Sequence, residues 1–522
     1  MLTKRKEATA SRARLSGLAA GLASGVLDRR SFLRRSGLAA GGVAAIGSLT
    51  LGSVRKAEAG PVAAGVKSEI KKNVCTHCSV GCGVVAEVQN GVWVGQEPAY
   101  DSPINRGSHC AKGASVRELV HGDRRLKYPM KLVNGEWTRI GWDQAINEIG
   151  DKIMEIRGKS GADSVYWLGS AKFSNEGAYL FRKLGAFWGT NSVDHQARIC
   201  HSTTVAGVAN TWGYGAQTNS YNDIRNAKTI IFMGSNAAEA HPVSLQHVLS
   251  GKEINRANMF VLDPRFTRTA AHATEYVRIR PGTDIAVIWG MMWHIFKNGW
   301  EDKEYIAQRV AGRDLVTDMG LDITSLPLYY GLVEGAWKHW ARVWEVEYDW
   351  LQARFDDVPA KAGRPARTRK ENMELPGIPS TRWFDATTFK AEEVDQRDNL
   401  KAMMVFGHGG NTVPRMPDMV KALEQLELIV VADPHPTTFA AISGRKNGTY
   451  LLPICTQFET DGSRTASNRS IQWGEKVVNP IFESKDDYEV IYRLATKLGF
   501  ADKMFKNIKV ENNRPVPEDI LR

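Results

Sequence analysis

The chain has 522 residues, 43% of them hydrophobic and 24% charged, which is enough length for two to four domains and an ordinary composition for a globular protein. Its formal net charge is +11, but residues 1–59 alone carry +8 and the rest of the chain carries +3. The basic excess is therefore mainly a property of the leader. We expect no nucleic-acid partner, because the remainder has little net positive charge with which to bind phosphates.

The leader, residues 1–59, has the parts of a twin-arginine signal peptide. Residues 29–33 (RRSFL) carry the paired arginines, residues 36–54 are uncharged, and residues 57–59 (AEA) form a small-residue cleavage site. A membrane-spanning helix is the alternative, since 19 uncharged residues are just long enough to cross a bilayer. The stretch is mostly Gly, Ala and Ser, however, so we expect export to the periplasm, with any membrane association made through partner subunits.

Four of the six cysteines have the spacing of a metal centre. Cys75, Cys78, Cys82 and Cys110 follow the pattern C-x2-C-x3-C-x27-C. Three thiols within eight residues do not readily pair as disulfides, whereas they can hold three corners of a [4Fe–4S] cubane that a distant cysteine completes. Tetrahedral zinc, which also takes four cysteines, is the alternative. The x2-x3 spacing favours the cluster.

A strand-and-loop pattern occurs twice farther along the chain. Residues 229–236 (TIIFMGSN) and 403–411 (MMVFGHGGN) each predict a buried strand that ends in a glycine-containing loop. A second predicted strand follows each of them and ends in Asp-Pro, at residues 259–264 (MFVLDP) and 428–434 (LIVVADP). Each copy is typical of a β-α-β unit that binds a nucleotide through loop amides and a strand-end acid.

Two copies indicate two nucleotide-bearing ligands, or one kind of ligand bound twice. A basic stretch at residues 278–284 (RIRPGTD) follows the first copy and supplies cations near it. The candidate nucleotide-binding residues of the two copies are Gly234, Asn236, Asp263, Arg265, Gly282, Asp284, Gly407, Asn411 and Asp433.

Cys200 and His201 are adjacent and lie outside the cluster motif. An isolated cysteine is most often a buried core residue, and that interpretation stays open for Cys200. It is the one we favour for Cys455, in residues 452–455 (LPIC). Lys112 follows Cys110 by two residues, and it is either a solvated surface lysine or part of the cluster site.

The cluster motif, the paired loops and the Cys-His pair occur in an order that resembles the large subunit of respiratory formate dehydrogenases, in the molybdopterin oxidoreductase superfamily. The resemblance implies a bis(molybdopterin guanine dinucleotide) cofactor with molybdenum or tungsten, whose two guanine nucleotides account for the two loops. By position, Cys200 is the implied metal ligand and His201 accepts or relays the proton of formate. Lys112 is implied to assist electron transfer between cluster and pterin.

The implied reaction is the oxidation of formate to CO₂ with release of one proton and two electrons. The electrons leave through the cluster to an iron–sulfur beta subunit and then to a membrane cytochrome b subunit. The histidine after Cys200 separates the chain from periplasmic nitrate reductases, which place methionine there. Reduction of nitrate or of a sulfur compound within the same superfamily is the enzymatic alternative.

The sequence departs from that family in two places. The family's Arg-Gly-x-x-Asn-x-Gln-Gly run, whose arginine binds formate, is absent, and residues 310–316 (VAGRDLV) stand in its place. A guanidinium group binds a carboxylate through two parallel hydrogen bonds, so the missing run removes the group that the family uses to bind formate. Arg313 is only a weak candidate to replace it. The chain also ends at Arg522, before the family's C-terminal domain. Two hypotheses follow: a separately encoded C-terminal half completes the enzyme, or the chain is an incomplete subunit that is inactive or only transfers electrons.

The predicted fold class is α/β, with a small N-terminal iron–sulfur domain followed by interleaved, doubly wound α/β domains. We place the cluster domain at residues 68–124, a first nucleotide-binding region at 125–310 and a second at 317–522. Residues 355–373, rich in Pro, Lys and Arg, are predicted to be an exposed connector.

Overall fold

The computed structural model describes residues 68–212, 217–309, 332–361, 363–388, 394–411, 413 and 415–521. The predicted signal peptide at 1–59, the substituted segment at 310–316 and the start of the second predicted region at 317 lie outside the described residues. Residues 68–522 form one compact unit. In the described part of the chain, no helix is long and apolar enough to span a bilayer.

The described strands, in chain order, are β1 Ser68–Val74, β2 Gly83–Gln89, β3 Val92–Pro98, β4 Met130–Val133, β5 Glu136–Arg139, β6 Val165–Gly169, β7 Val193–His195, β8 Thr229–Met233, β9 Asn258–Leu262, β10 Glu275–Val277, β11 Ala402–Phe406, β12 Leu428–Asp433, β13 Thr449–Pro453, β14 Gly462–Thr465, β15 Ile471–Gly474, β16 Val510–Glu511 and β17 Arg514–Pro515.

The described α-helices are α1 Ala111–Ala114, α2 Glu118–His121, α3 Trp142–Ser160, α4 Asn175–Trp188, α5 Ala197–Trp212, α6 Tyr221–Ile224, α7 Ala237–Ala240, α8 Leu245–Asn255, α9 Asp284–Lys297, α10 Lys303–Arg309, α11 Glu334–Val343, α12 Tyr348–Gln352, α13 Arg369–Met373, α14 Asp385–Thr388, α15 Met416–Gln425, α16 Thr438–Ala441, α17 Asp487–Lys497, α18 Ala501–Met504 and α19 Pro517–Ile520.

The N-terminal sheet is an antiparallel meander in the order β1-β2-β3. Strand β2 alternates buried and half-buried residues after its first two positions, as a strand does when one face packs on a core. Its inward side chains join a hydrophobic cluster that also contains Phe458, Val477 and Val478 from the far end of the chain. The small cluster domain is therefore packed against C-terminal residues.

The main sheet has seven strands in the order β5-β4-β13-β12-β11-β6-β7. Strands β13, β12, β11, β6 and β7 are mutually parallel, and β4 and β5 continue the sheet antiparallel. All five residues of β11 are buried, as expected for a central parallel strand covered on both faces. The α/β, doubly wound prediction is confirmed.

The strand order of this sheet fixes the position of a ligand crevice. From β6 the chain proceeds outward to β7, and from β11 it proceeds the other way through β12 to β13. Strands β6 and β11 are neighbours, so the direction of winding reverses between them. In doubly wound sheets, ligands bind outside the carboxyl ends of the strands at such a reversal. The sheet also draws strands from both predicted nucleotide-binding regions, so the boundary between those regions is not a boundary of the main sheet.

A separate three-stranded parallel sheet, β10-β9-β8, carries the first nucleotide-type unit. Helix α9 follows it with the sequence DIAVIWGMMWHIFK, yet none of its residues is buried. Trp289 is 68% exposed and Trp293 is 53% exposed. A helix that is apolar on all sides is usually buried. In the described part of the molecule, however, no other element buries α9.

The predicted exposed connector at 355–373 is only partly exposed. Phe355, Val358 and Met373 are buried, which anchors both of its ends. Between them, Val358 pairs with Arg367 in an isolated antiparallel bridge. The prediction of an exposed connector was wrong at both ends, because it rested on the Pro, Lys and Arg content of the middle and not on the few apolar residues at the ends.

Candidate functional site

The cluster loop lies between the first two strands of the N-terminal sheet. Cys75 directly follows β1 and Cys82 directly precedes β2, and the Cys75 N–H donates to the Cys82 carbonyl oxygen at 2.8 Å. Gly81 turns the loop with φ +67°, and a Cβ there would lie 2.8 Å from the Ala466 Cβ. Glycine is therefore required both for the turn and for the close approach of the C-terminal segment.

The four cysteines of the motif converge on one hydrophobic cluster and are free thiols. Cys75 and Cys82 are buried, whereas Cys78 and Cys110 are half-buried. Burial raises the pKa of the Cys82 thiol, and the neighbouring thiols raise it further. Four thiolates so close together require a compensating cationic group, which the irons of a cubane supply. Among the described residues, no three His, Cys, Asp or Glu side chains are grouped to hold a single metal ion.

A cavity of about 1110 Å³ opens at the crevice that the strand order identifies. The cluster loop contributes Cys75 and Cys78 to its wall, and the loop after β6 contributes Ser170 and Lys172. Cys200 and His201 line the same cavity. The cavity therefore joins the predicted cluster site to the predicted metal-ligand cysteine.

Cys200 and His201 are the fourth and fifth residues of α5, which begins just after the edge strand β7. Both side chains are exposed to the cavity. The start of the helix is held by the His195 ring, whose Nδ1 accepts a hydrogen bond from the Ala197 N–H at 3.1 Å. A core position for Cys200, the alternative left open by its sequence, is wrong. Cys455 is buried, as predicted.

Two lysines lie beside the cluster loop. Lys112 donates from Nζ to the Ala240 carbonyl oxygen at 3.1 Å, so it crosses from the cluster domain to the segment after the first nucleotide-type loop. Lys172 donates from Nζ to the Thr76 carbonyl oxygen, within the cluster loop itself. Burial lowers the pKa of Lys172. Lys112 is thus tied to the protein, although its role in electron transfer stays a prediction.

A second cavity of about 200 Å³ adjoins the first and is lined by Gly407 and Asp433 of the second nucleotide-type unit. Burial raises the pKa of Asp433 to about 7. Three further residues of its wall each have one buried polar atom with no partner among the described residues: Gln457 Nε2, Arg464 Nε and Asp487 Oδ1. Buried polar atoms rarely stay unpaired, so this cavity is built for a polar ligand with both donors and acceptors, such as a base.

The two nucleotide-type units have the same backbone hydrogen bond at the end of their first strand. The Gly234 N–H donates to the Leu262 carbonyl oxygen at 2.9 Å, and the Gly407 N–H donates to the Ala432 carbonyl oxygen at 2.8 Å. Both glycines have positive φ, +58° and +61°. The loops therefore leave their sheets in the same way, which the sequence pattern predicted.

The strand-end acids also repeat. Asp263 accepts from the Arg265 N–H at 2.8 Å, and Asp433 accepts from the His435 N–H at 2.9 Å. In the first loop, Asn236 Oδ1 accepts from the Thr269 hydroxyl at 2.9 Å, so that side chain already has a partner.

The two cavities gather only part of the predicted site. Cys75, Cys78, Cys200, His201 and Asn411 line the larger cavity, and Gly407 and Asp433 line the smaller one. The predicted residues that line neither cavity are Cys82, Cys110, Lys112, Gly234, Asn236, Asp263, Arg265, Gly282 and Asp284. Sequence reasoning missed Lys172, His195, Arg464 and Asp487, which acquire their place only through the fold. It also passed over His408, although that residue stands inside the quoted glycine-rich loop.

Comparison with known protein families finds matches for both the cluster domain and the α/β region that follows it. The family described as "Molybdopterin oxidoreductase" matches residues 125–497, and the one described as "Molybdopterin oxidoreductase Fe4S4 domain" matches residues 68–122. The chain belongs to the molybdopterin oxidoreductase family. Its cofactors are accordingly a molybdenum or tungsten molybdopterin and a [4Fe–4S] cluster, which decides against zinc at the four cysteines. The thiol cluster and the unpaired polar atoms of the smaller cavity fit these two groups.

Similar proteins with known names are formate dehydrogenase subunits. The "F420-dependent formate dehydrogenase 1 subunit alpha" of Methanococcus maripaludis is 39% identical over 483 residues, which are 82% of this chain and 70% of that protein. The "Formate dehydrogenase-O major subunit" of Escherichia coli K12 is 38% identical over 255 residues, which are 45% of this chain and 25% of that protein. The alignments thus span very different shares of the relatives.

Among solved structures, acetylene hydratase from Pelobacter acetylenicus matches with a TM-score of 0.63 over 83% of this chain and 70% of that one. Its sequence identity is 20%, so the likeness concerns the fold alone. The predicted family and fold are therefore confirmed.

Proposed function

We propose that this chain is the large subunit of a formate dehydrogenase and oxidises HCOO⁻ to CO₂, one proton and two electrons. The observation that carries the proposal is the shared cavity, which has Cys200 and His201 on one wall and Cys75 and Cys78 of the cluster loop on another. Electrons released beside Cys200 need to cross only this cavity to reach the cluster. The similarity to named formate dehydrogenase subunits supports formate as the substrate.

Each residue has a distinct proposed role. When bound, the molybdenum or tungsten pterin supplies the two-electron acceptor chemistry. Cys200 would hold the metal through Sγ, and His201, the next residue of α5, would take up the proton of formate on an imidazole nitrogen. Lys112, whose ammonium donates to the Ala240 carbonyl oxygen, would supply a positive charge that assists electron transfer between the pterin and the cluster.

The proposed physiological setting follows from the subunit character of the relatives. Electrons pass from the cluster to an iron–sulfur beta subunit and then to a membrane cytochrome b subunit in anaerobic respiration. The twin-arginine motif at residues 29–33 of the leader supports export to the periplasm, with any membrane association made through partner subunits.

The test is formate-dependent dye reduction by the purified holoprotein and its variants. Cys200→Ala is expected to abolish turnover while the cluster spectrum stays intact. His201→Ala is expected to slow turnover by roughly 10²–10⁴-fold without loss of metal, the usual contribution of an acid–base group. Thr203→Ala, on the same helix but outside the cavity, is the matched control and is expected to retain activity.

Three results would count against the proposal. Full activity of Cys200→Ala would remove the metal-ligand assignment. A holoprotein that reduces nitrate but ignores formate would keep the family and change the substrate. A loaded, metal-containing protein with neither activity would favour the incomplete-subunit hypothesis.

A further inference from the structure

The glycine-rich loop after β11 contains a histidine to which the proposed function assigns no role. His408 follows Gly407 at the carboxyl end of the central strand, and its side chain is 1% exposed. It lines the larger cavity together with Gly409 and Asn411. On its other side, the Phe439 ring lies with its centroid 5.6 Å from that of the His408 ring.

One hydrogen bond decides where the proton of this imidazole lies. The Gly410 N–H donates to His408 Nδ1 at 3.0 Å, so Nδ1 acts as an acceptor and carries no proton. Burial lowers the pKa of His408 to about 4, and the neighbouring His195 acts in the same direction, so the ring is neutral near pH 7. A neutral imidazole with a bare Nδ1 carries its proton on Nε2.

Gly410 is essential to this tautomer. It has φ +74°, and a Cβ at this position would lie 2.8 Å from the Phe439 ring. Only glycine combines that backbone conformation with contact against the aromatic ring, and the conformation is what directs the amide at the imidazole. The loop therefore fixes both the orientation of the His408 ring and the nitrogen that carries its proton.

The Nε2–H group of His408 is buried and has no partner among the residues that the structure describes. Leaving a buried donor unpaired costs about 1–3 kcal/mol, and native proteins rarely tolerate it. The same tautomer excludes two other roles. Nε2 already bears a proton, so it neither ligates a metal as a neutral imidazole nor accepts a proton from a substrate.

We propose that His408 donates a hydrogen bond from Nε2 to an acceptor atom of the bound pterin cofactor. A resident group suits a permanently buried donor better than a transient substrate does, and the loop that carries His408 belongs to the second nucleotide-type unit. This assignment rests on the family's cofactor and not on formate being the substrate. His408 is thus a positioning residue for the cofactor and differs in role from the exposed His201.

A matched pair of variants separates the donor from the shape of the side chain. His408→Gln and His408→Met place nearly isosteric side chains at the same buried position, and only the glutamine has an N–H donor. Pterin fluorescence after oxidative release, metal content and iron content are measured on the purified holoproteins, and pterin release is followed over time.

We expect the Met variant to release pterin roughly tenfold faster than the Gln variant, as loss of one hydrogen bond to a buried acceptor implies. Iron content is expected to be equal in the two. His247→Met is the control for burying a methionine, since this histidine is also 1% exposed but bonds the Ile104 carbonyl oxygen outside the cavity. Equal pterin retention in the Gln and Met variants of His408, at whatever level, would overturn the proposal.

Discussion

A buried ion pair between Arg125 and Glu459 offers a quantitative test of how the cluster domain is held. The guanidinium donates to the two carboxylate oxygens at 2.8 and 3.1 Å, and both side chains are fully buried. Glu459 also accepts from the Thr456 N–H at 2.7 Å and the Ile481 N–H at 2.9 Å. Arg125 is the first residue after the predicted cluster domain, so the pair connects the end of that domain to the C-terminal segment.

Glu459→Gln keeps the side-chain volume but removes the charge, and its amide presents donors where Arg125 needs an acceptor. Removing one partner of a buried pair leaves the other charge uncompensated, which costs about 3–5 kcal/mol. We expect the free energy of unfolding of the cluster domain to fall by that amount. The midpoint of guanidinium unfolding should decrease correspondingly, because the free energy is linear in denaturant concentration.

The assay combines cluster absorbance with tryptophan fluorescence. Trp93 packs on Phe458, the residue before Glu459, with ring centroids 4.8 Å apart, so it reports on this contact. Asp101→Asn, in the exposed Lys72–Asp101 pair, is the matched control, and no measurable effect is expected because exposed pairs are largely screened by solvent. If Glu459→Gln unfolds at the same midpoint as the control, the buried pair does not hold the domain and the reasoning is refuted.

Four further predictions concern iron, packing, pH and export. Cys78→Ser should reduce iron from about four atoms per chain to a trace, since a cubane requires four thiolates. Gly189→Ala should unfold the domain or lower its unfolding free energy by about 3 kcal/mol or more, because φ is +100° and the new Cβ would lie 1.8 Å from a backbone oxygen. In cofactor-free protein, burial raises the pKa of Asp433 to about 7, so its contribution to stability should be fully present below the ordinary carboxyl pKa, be lost as pH rises from there to about 7, and change no further above that. Asp433→Asn should reduce that slope. Replacing Arg29 and Arg30 by Lys should leave the precursor in the cytoplasm with its leader uncleaved.

Each of these has a result that contradicts it. Finding one zinc and no iron in the wild type would show that the four cysteines hold zinc and not a cluster. Cys455→Ser, outside the motif, is the control and should retain iron. Gly158→Ala, in α3 where no atom lies within 4 Å of the new Cβ, should be harmless, so equal stability of the two alanine variants would refute the packing argument. An Asp433→Asn protein with an unchanged pH profile would locate the titration elsewhere. Normal export of the double lysine variant would remove the signal assignment.

The sequence predicted those parts of the site whose chemistry fixes a local spacing. Three of the four thiolates of such a cubane commonly lie within a few residues of one another, so the spacing of Cys75, Cys78 and Cys82 is visible in the sequence. A strand followed by a glycine turn is likewise a local pattern, and both copies occur where residues 229–236 and 403–411 placed them. Neither inference needs knowledge of a distant partner.

The parts that depend on long-range pairing were beyond such patterns. Strand β6 contains no motif, yet its pairing with β11 creates the winding reversal and hence the cavity. The unpaired atoms of Arg464 and Asp487, and the proton position on His408, are likewise set by tertiary neighbours. The lack of any buried residue in α9 also could not be predicted from its local sequence, which is typical of a buried helix.

Reduction of the cluster by formate tests the central claim in one measurement, since it requires both the substrate chemistry at Cys200 and electron transfer across the shared cavity. Anaerobic holoprotein is mixed with formate, and the cluster is followed by electron paramagnetic resonance, with dithionite as the chemical reductant for comparison. We expect formate to reduce the cluster of the wild-type protein. In the Cys200→Ala variant, the cluster should stay oxidised when formate is added but should still be reduced by dithionite. A metal-loaded wild-type protein whose cluster responds to dithionite but not to formate would contradict it.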